Sequence, residues 1–467
     1  MNIIGRNKEK SDFQHFYEIE QPEFVAVYGR RRVGKTFLIK EFFAEKFTFY
    51  VTGLANAEKQ AQLENFNVSL NFYAGLPYPQ VKTWMEAFRQ LIHLLEHSRK
   101  RGKKVIFIDE MPWLDTPKSD FLTALEFFWN SWASSRPDIL LIACGSATSW
   151  MTNKLLKNKG GLYNRVTRRM FIAPFTLGEC EAYFAAKKMN YEKKDIAEAY
   201  FAFGGIPFYL NLFEKGKSVA QNIDFLCFGE NAPLQNEFEL LFASLFKHPQ
   251  IYTQVVDYLS NKKKGQLRDD IGRHTGNKGG GLTATLNELE LCGFIKSAAS
   301  YGKKAKEKIF RLTDPFVLFY YSFMKNNNHL EGDFYLSQIN SGRYKNWAGH
   351  AFENLCLAHI KQIKTKLGIA AVSTNIVNWR SNTAEIDLMI DRRDNVVNIC
   401  EIKYYDGEFT IDKAYSQVLQ NKRAAFIDKT KTRKAIHTTL ITTYGVKHNE
   451  YWNNIQSEVA MDDLFKC

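Results

Sequence analysis

A glycine-rich segment between an apolar run and a predicted helix constrains the fold of this chain more than any other feature. Residues 29–36 have the spacing G-x-x-x-x-G-K-T; they follow the apolar run 24–28 and lead into a helix predicted for 36–45. The two glycines let the backbone turn so that several N–H groups converge on one anion. The positive end of the following helix points at the same anion. The sequence therefore predicts a buried strand, a phosphate-binding turn and a helix.

The side chains of this turn match the chemistry of a nucleoside triphosphate bound with magnesium. Lys35 is placed to reach the β- and γ-phosphates, and the Thr36 hydroxyl is placed to coordinate Mg²⁺. We therefore predict ATP and Mg²⁺ as cofactors. The residues expected to contact the nucleotide in this turn are Gly29, Arg30, Arg31, Arg32, Val33, Gly34, Lys35, Thr36 and Phe37.

A second apolar run ends in two carboxylates. Residues 105–108 are Val-Ile-Phe-Ile, which is typical of a buried strand, and Asp109 and Glu110 follow directly. Asp109 is predicted to hold Mg²⁺ through water. Glu110 is predicted to polarise the attacking water as a general base.

Two further side chains are candidates for contact with the phosphates. The predicted strand 139–143 is followed by Cys-Gly-Ser, which makes Ser146 a candidate to sense the γ-phosphate or the attacking water. A plain turn serine is the alternative. Arg165 is a candidate to bring positive charge to the phosphates, from the same subunit or a neighbouring one, and a solvated surface arginine is the alternative.

Strands and helices alternate as far as residue 215, which predicts an α/β fold with a parallel sheet and helices on both faces. The segments with recognisable motifs are 4–6 (IGR), 29–36 (GRRRVGKT), 105–110 (VIFIDE), 145–146 (GS) and 204–207 (GGIP). In this order they resemble the archaeal-type ATPase family, in the STAND/AAA+ branch of P-loop ATPases. The resemblance implies that Gly5 and Arg6 pack beside adenine and that Pro207 borders the nucleotide. Asn7 departs from the glutamate usual in the family.

The middle region, residues 216–335, is predicted to be helical and to end in a β-hairpin. The order of its elements resembles a winged helix, a module that the same ATPase family carries after its core. The hairpin loop is rich in lysines, and phosphates of DNA are the expected partner of such a loop. A packing module with solvated lysines is the alternative. The lysines concerned are Lys303, Lys304, Lys306 and Lys308 in the loop and Lys262, Lys263 and Lys264 before it.

The last region, residues 336–467, contains a second set of carboxylates. Glu401 and Lys403 are two positions apart on one predicted strand and so share a face. A short turn joins that strand to the preceding one, which can bring Asp387 beside Glu401. Such a pair is expected to bind Mg²⁺, with Lys403 orienting or activating a water. Glu353, on the preceding helix, is a candidate to complete the ligation.

This arrangement resembles the PD-(D/E)XK nuclease superfamily. Asp387, Glu401 and Lys403 map onto its D…E-x-K motif, and Glu353 maps onto its helix carboxylate. Ile386 stands where the superfamily has proline. The resemblance implies a metal-dependent DNA endonuclease. The alternatives are a half-buried hairpin with surface charges and a nuclease-like fold that binds DNA or a partner without cleaving it.

The overall composition limits the partners and the location of the chain. The formal net charge is +13 and the isoelectric point is about 9.1, which favours a polyanion such as DNA as partner. Seven cysteines without close spacing indicate neither a disulfide framework nor a zinc site. No apolar run is long enough to cross a membrane, so we expect a cytoplasmic protein.

The combined prediction is an ATP-hydrolysing protein that acts on DNA, built from three domains over residues 1–215, 216–335 and 336–467. ATP binding or hydrolysis is then expected to gate access of DNA to the last domain. The main alternative is a STAND-type regulatory switch, whose last domain binds a partner or DNA without cleaving it. A homo-oligomer or a protein partner is compatible with either function. A weaker possibility is a toxin or defence protein whose nuclease is silenced by the ATPase.

Overall fold

The computed structural model describes residues 3–146, 148–157, 160–302, 307–327 and 333–466. The chain divides into two compact units, Met1–Pro174 and Phe175–Cys467. The helices between residues 177 and 211, which the sequence assigns to the first domain, belong to the second unit. The division into three domains therefore stays a prediction.

The first unit contains a parallel sheet with strand order β2-β3-β4-β1-β5 among the described residues. Every residue of β3 and β4 is buried, and a strand covered on both faces requires such nearly continuous apolar runs. The strands are β1 (Glu23–Tyr28), β2 (Phe47–Thr52), β3 (Lys104–Asp109), β4 (Ile139–Gly145) and β5 (Arg168–Phe171).

Helices accompany this sheet, and their apolar faces form its core. The helix α4 (Trp84–His97) begins at a capping box, in which the Thr83 hydroxyl accepts a hydrogen bond from the Glu86 N–H. Its apolar side chains, including Trp84 and Phe88, are buried. The helices are α1 (Asn7–Glu18), α2 (Lys35–Phe43), α3 (Lys59–Ala74), α4 (Trp84–His97), α5 (Phe121–Ser131) and α6 (Thr148–Trp150). The predicted fold class, α/β with a parallel sheet, is confirmed.

The second unit begins with helices and continues with a small antiparallel sheet of order β6-β8-β7. The helices before this sheet are α7 (Leu177–Ala186), α8 (Lys193–Phe203), α9 (Pro207–Asn211), α10 (Val219–Cys227), α11 (Glu237–Leu245) and α12 (Pro249–Ser260). The next elements are β6 (Gln266–Leu267), α13 (Arg268–Thr275), α14 (Gly279–Leu291), β7 (Ile295–Ala299), β8 (Lys308–Leu312) and α15 (Pro315–Phe319).

A mixed sheet of order β15-β13-β11-β10-β9 forms the last part of the second unit. Strand β10 pairs antiparallel with β9 and β11, whereas β13 pairs parallel with β11 and β15. The helices are α16 (Phe334–Gln338), α17 (Gly342–Ala358), α18 (Ile360–Lys366) and α19 (Lys413–Thr430). The strands are β9 (Thr374–Val377), β10 (Leu388–Arg392), β11 (Val396–Lys403), β12 (Phe409–Thr410), β13 (Ala435–Thr442), β14 (Val446–Lys447) and β15 (Ser457–Ala460).

None of the helices in the described part of the chain combines the length and the apolarity that crossing a membrane requires.

Candidate functional site

The backbone of residues 29–36 has a shape that requires glycine at both fixed positions. Gly29 has a φ of +150°, and a Cβ atom there would lie 2.4 Å from the carbonyl oxygen of Ile172. Gly34 has a φ of +85° and is the N-cap of α2. The turn therefore leads from the carboxyl end of β1 directly into the amino end of a helix, where free N–H groups can bind an anion.

Lys35 lies inside this turn. Its Nζ atom donates hydrogen bonds to the carbonyl oxygens of Gly29, at 3.0 Å, and Arg30, at 2.9 Å, and the residue is only 5% exposed. Two neutral carbonyl oxygens thus hold this ammonium group in a poorly hydrated place. Phosphate oxygens are stronger acceptors than these carbonyls, so this residue set fits a triphosphate.

Thr36 and Asp109 meet at the carboxyl edge of the sheet. The Thr36 hydroxyl lies 2.9 and 3.1 Å from the two carboxylate oxygens of Asp109, which is almost fully buried. Burial and the neighbouring charge of Glu110 raise the pKa of Asp109, while the hydrogen bond from Thr36 opposes this rise. A hydroxyl and a carboxylate in direct contact can share one Mg²⁺ between them, directly or through water.

The described residues contain no group of three or more His, Cys, Asp or Glu side chains arranged to hold a metal ion. In the first unit, phosphate oxygens and water would therefore have to supply most of the ligands of Mg²⁺. This is how Mg²⁺ is usually bound beside a nucleotide.

Glu110 and Ser146 are brought together because β4 lies between β1 and β3 in the sheet. The Glu110 carboxylate accepts hydrogen bonds from the Ser146 N–H, at 3.2 Å, and from its hydroxyl, at 2.9 Å. Glu110 itself has a left-handed backbone conformation with a φ of +43°. Such conformations concentrate at functional sites. Contact of Ser146 with the γ-phosphate stays a prediction.

The other predicted nucleotide contacts are placed as follows. Arg6 donates a hydrogen bond from Nη2 to the carbonyl oxygen of Val33, at 3.2 Å, so it and Gly5 lie beside the turn. Phe37 is 43% exposed. Arg165 is exposed in a turn, and no hydrogen bond or ion pair of the described residues joins its side chain to residues 29–36. Pro207 is the first residue of α9 in the second unit.

The second set of carboxylates is assembled by the hairpin β10-β11. Leu388 pairs with Cys400, which places Asp387 opposite Glu401. The Asp387 carboxylate accepts a hydrogen bond from the Ile402 N–H at 3.0 Å. The predicted proximity of the two carboxylates is therefore present in the structure.

Glu401 is buried and is paired with Lys422 of α19, whose Nζ lies 2.6 and 2.7 Å from its two carboxylate oxygens. Burial and the charge of Asp387 raise the pKa of Glu401 to about 7, although Lys422 opposes the rise. The Nζ of Lys403 lies 5.1 Å from the centre of the Tyr415 ring. Sequence reasoning did not identify Lys422. Lys422 lies two helical turns after Tyr415 on α19, so the two side chains share one face of that helix. This spacing is the sequence signal that could have identified Lys422.

Glu353 is held by Arg311 of β8. The Arg311 Nη2 donates to the Glu353 carboxylate at 2.8 Å and also to Nδ1 of His350 at 3.0 Å. Burial opposes ionisation, yet the contacts with His350 and Arg311 lower the pKa of Glu353 to about 2. The structure thus commits Glu353 to an internal ion pair. Its predicted role as a metal ligand stays untested.

Lys264 lies between two further carboxylates. Its Nζ is 3.5 Å from Glu385 and 3.6 Å from Asp387. Burial opposes its charge, but the carboxylates of Asp387, Glu353 and Glu385 raise the pKa of Lys264 overall. A cleft lined by these residues, Arg311 and Trp379 opens at this place.

Of the lysines predicted to meet DNA, Lys303, Lys304 and Lys306 lie outside the described residues, and Lys308 is exposed at the start of β8.

Comparison with known protein families identifies two regions. Residues 4–213 match the model of a family described as an ATPase domain predominantly from Archaea. Residues 316–423 match a family described as archaeal and bacterial proteins of unknown function. The first match supports the predicted ATPase domain in that region, and the winged helix and the nuclease stay predictions.

Three similar proteins from archaea illustrate the likeness. An uncharacterised protein of Methanocaldococcus jannaschii is 25% identical over 437 residues, which are 91% of this chain and 93% of the relative. A Walker-type ATPase of Pyrococcus abyssi is 18% identical, with a TM-score of 0.49, over 68% of this chain and 95% of its own. The ORC2 protein of Aeropyrum pernix, solved with ADPNP and ADP, is 14% identical, with a TM-score of 0.41. This match covers 68% of this chain and 93% of the ORC2 chain.

Proposed function

We propose that the first unit binds ATP with Mg²⁺ at residues 29–36 and hydrolyses it. The observation that carries the proposal is the convergence of four side chains at one sheet edge. Lys35 lies inside the turn, Thr36 touches Asp109, and Glu110 follows Asp109 directly. This set contains a phosphate-binding cation, two metal-binding oxygens and a general base, which are the groups that phosphoryl transfer requires.

Each residue has a defined task in this proposal. The main-chain N–H groups of the turn and the ammonium of Lys35 bind and neutralise the phosphates. Thr36 and Asp109 would hold Mg²⁺, which would supply further neutralisation of the phosphate charge when bound. Glu110 orients the attacking water and accepts its proton. Ser146 holds the Glu110 carboxylate through two hydrogen bonds and so fixes the direction in which that base points.

The test is ATP turnover by a Glu110→Gln variant beside a Glu45→Gln control. Glu45 is an exposed carboxylate after α2, outside the proposed site. Glu110→Gln should bind ATP with unchanged affinity and hydrolyse it at least about a hundredfold more slowly, because the general base is lost. Glu45→Gln should hydrolyse ATP at the wild-type rate. Equal turnover by both variants would contradict the role of Glu110.

We further propose that the last part of the chain is a Mg²⁺-dependent nuclease-like domain that acts on DNA. The order α17, α18, β9, β10, β11, β12, α19 and β13 supports this proposal, since it places Glu353 on a helix that precedes the two carboxylate strands, as predicted. The specific observation is the pairing of β10 with β11, which places Asp387 opposite Glu401, with Lys403 two residues further along. The order α12, β6, α13, α14, β7 and β8, with the sheet β6-β8-β7, likewise supports a winged helix.

The test is incubation of supercoiled plasmid with Mg²⁺, with and without ATP. The wild type should nick the plasmid, and Asp387→Asn and Lys403→Ala should abolish nicking. Asp428→Asn, at the exposed end of α19, should nick normally. If the plasmid stays intact while ATP binding is proven, the chain is better described as a regulatory switch of the STAND type. Slow nucleotide exchange and no stimulation of ATP hydrolysis by DNA would then be expected.

A further inference from the structure

The cleft beside β10 contains the side-chain ammonium of Lys264. We infer that the ammonium of Lys264 marks the cation position of the C-terminal site, between Glu385 and Asp387, and that a divalent metal must displace it to bind. The inference rests on the proposed nuclease-like function and adds Glu385 as a metal ligand. It also assigns Lys264 a role in keeping the metal out.

The distances show why an ammonium and a metal exclude one another here. The Lys264 Nζ is 3.5 Å from a Glu385 oxygen and 3.6 Å from an Asp387 oxygen. Mg²⁺ needs its oxygen ligands at about 2.0–2.1 Å. A metal between these carboxylates would therefore occupy the space that Nζ now fills, and two adjacent positive charges would repel one another.

The other carboxylates of the site are committed elsewhere. Glu353 is bound to Arg311 at 2.8 Å, and both side chains are largely buried. Glu401 is bound to Lys422 at 2.6 Å and is itself buried. Among the described residues around this cleft, Glu385 and Asp387 are consequently the pair whose cationic partner can leave most easily. Lys264 is 42% exposed at its side chain, so it can rotate into solvent without unfolding any element.

The charge of the cluster explains the effect of that rotation. The four carboxylates are balanced by four cations, Lys264, Arg311, Lys422 and Lys403, which leaves a formal charge of zero. Withdrawal of Lys264 changes this to −1, which attracts a divalent cation more strongly. A polyanion is a natural agent for the withdrawal, because Lys264 stands in a run of three lysines and phosphates compete with carboxylates for them.

The turn that delivers Lys264 is fixed in place. The neighbouring Gly265 has a φ of +76°, and a Cβ atom there would lie 2.6 Å from the carbonyl oxygen of Phe310. Gln266 pairs with Phe310 in the small sheet, one residue before Arg311. The backbone of the lysine run is thus anchored to β8. The switch therefore consists of the Lys264 side chain rather than of the loop.

Terbium luminescence without nucleotide tests the inference. Trp379 lines the same cleft and can sensitise bound Tb³⁺, and Mg²⁺ should displace the ion. Lys264→Ala should bind Tb³⁺ at least about tenfold more tightly than the wild type, because the competing charge is gone. Lys264→Arg should stay close to the wild type. Lys263→Ala is the matched control, since Lys263 donates to the carbonyl oxygen of Asn346 at 3.2 Å and should leave the affinity unchanged.

The remaining outcomes separate the inference from the proposed function. Glu385→Gln and Asp387→Asn, each in the Lys264→Ala background, should lose the tight signal, with folding checked by circular dichroism. If Lys264→Ala binds no more tightly than the wild type, yet Asp387→Asn abolishes binding in both, the metal site exists and the inference about Lys264 is wrong. If neither protein gives a Tb³⁺ signal that depends on Asp387, the proposed metal site itself is wrong.

Discussion

Replacement of Lys35 by alanine should weaken ATP binding by two to four orders of magnitude. Lys35 now donates two hydrogen bonds, of 3.0 and 2.9 Å, to carbonyl oxygens of the turn, and it can direct two such bonds to phosphate oxygens instead. A hydrogen bond to a charged group contributes about 1.5–3 kcal/mol. Two of them amount to about 3–6 kcal/mol, and each 1.4 kcal/mol is about a tenfold change in affinity.

Isothermal titration with ATP and Mg²⁺ measures this effect. Lys40→Ala is the matched control, because Lys40 lies five residues further along α2 and its Nζ is 4.4 Å from the centre of the Tyr50 ring. The control should keep the wild-type dissociation constant to within about threefold. A Lys35→Ala variant that is folded and binds ATP as tightly as Lys40→Ala would refute the placement of the phosphates in this turn.

Three further predictions concern stability and can be measured by thermal unfolding. Gly29→Ala should lower the melting temperature by several degrees, since its Cβ would lie 2.4 Å from the Ile172 carbonyl oxygen; an unchanged value would contradict the close approach. The pKa of Glu353 in the folded chain is about 2, so its ionised form contributes at most about 3 kcal/mol to the free energy of unfolding. This contribution should be present above pH 4.5 and be lost as the pH falls towards 2. Glu353→Gln should therefore destabilise the protein at pH 7, and the difference should shrink towards pH 2. Glu401 keeps its proton up to about pH 7, so the stability that it contributes should fall as the pH rises from 4.5 to 7, and Glu401→Gln should remove that slope.

The first candidate site could be predicted from sequence because its parts are local. The turn 29–36 contains its own glycines, lysine and threonine, and the run 105–108 ends in its own carboxylates. Parallel strands bring their carboxyl ends to one edge, so the contact between Thr36 and Asp109 follows from the topology. The contact between Glu110 and Ser146 was not predicted. It depends on β4 lying between β1 and β3 in the sheet, and no local sequence pattern specifies that order.

The second candidate site was predicted less completely because its partners are far apart in sequence. Arg311 reaches Glu353 and Lys422 reaches Glu401 only through tertiary packing. Strand β10 also begins only at Leu388, so Asp387 precedes the strand. The Ser381 hydroxyl accepts hydrogen bonds from the N–H groups of residues 383 and 384, and this local turn delays the strand to Leu388.

A crystal structure of the chain with a non-hydrolysable ATP analogue and Mg²⁺ tests the central claim most directly. The β- and γ-phosphates should lie against the main-chain N–H groups of residues 32–36. Lys35 should have left the carbonyl oxygens of Gly29 and Arg30 to contact them, with the metal between Thr36 and Asp109. A nucleotide bound elsewhere, with the Lys35 hydrogen bonds unchanged, would contradict the account.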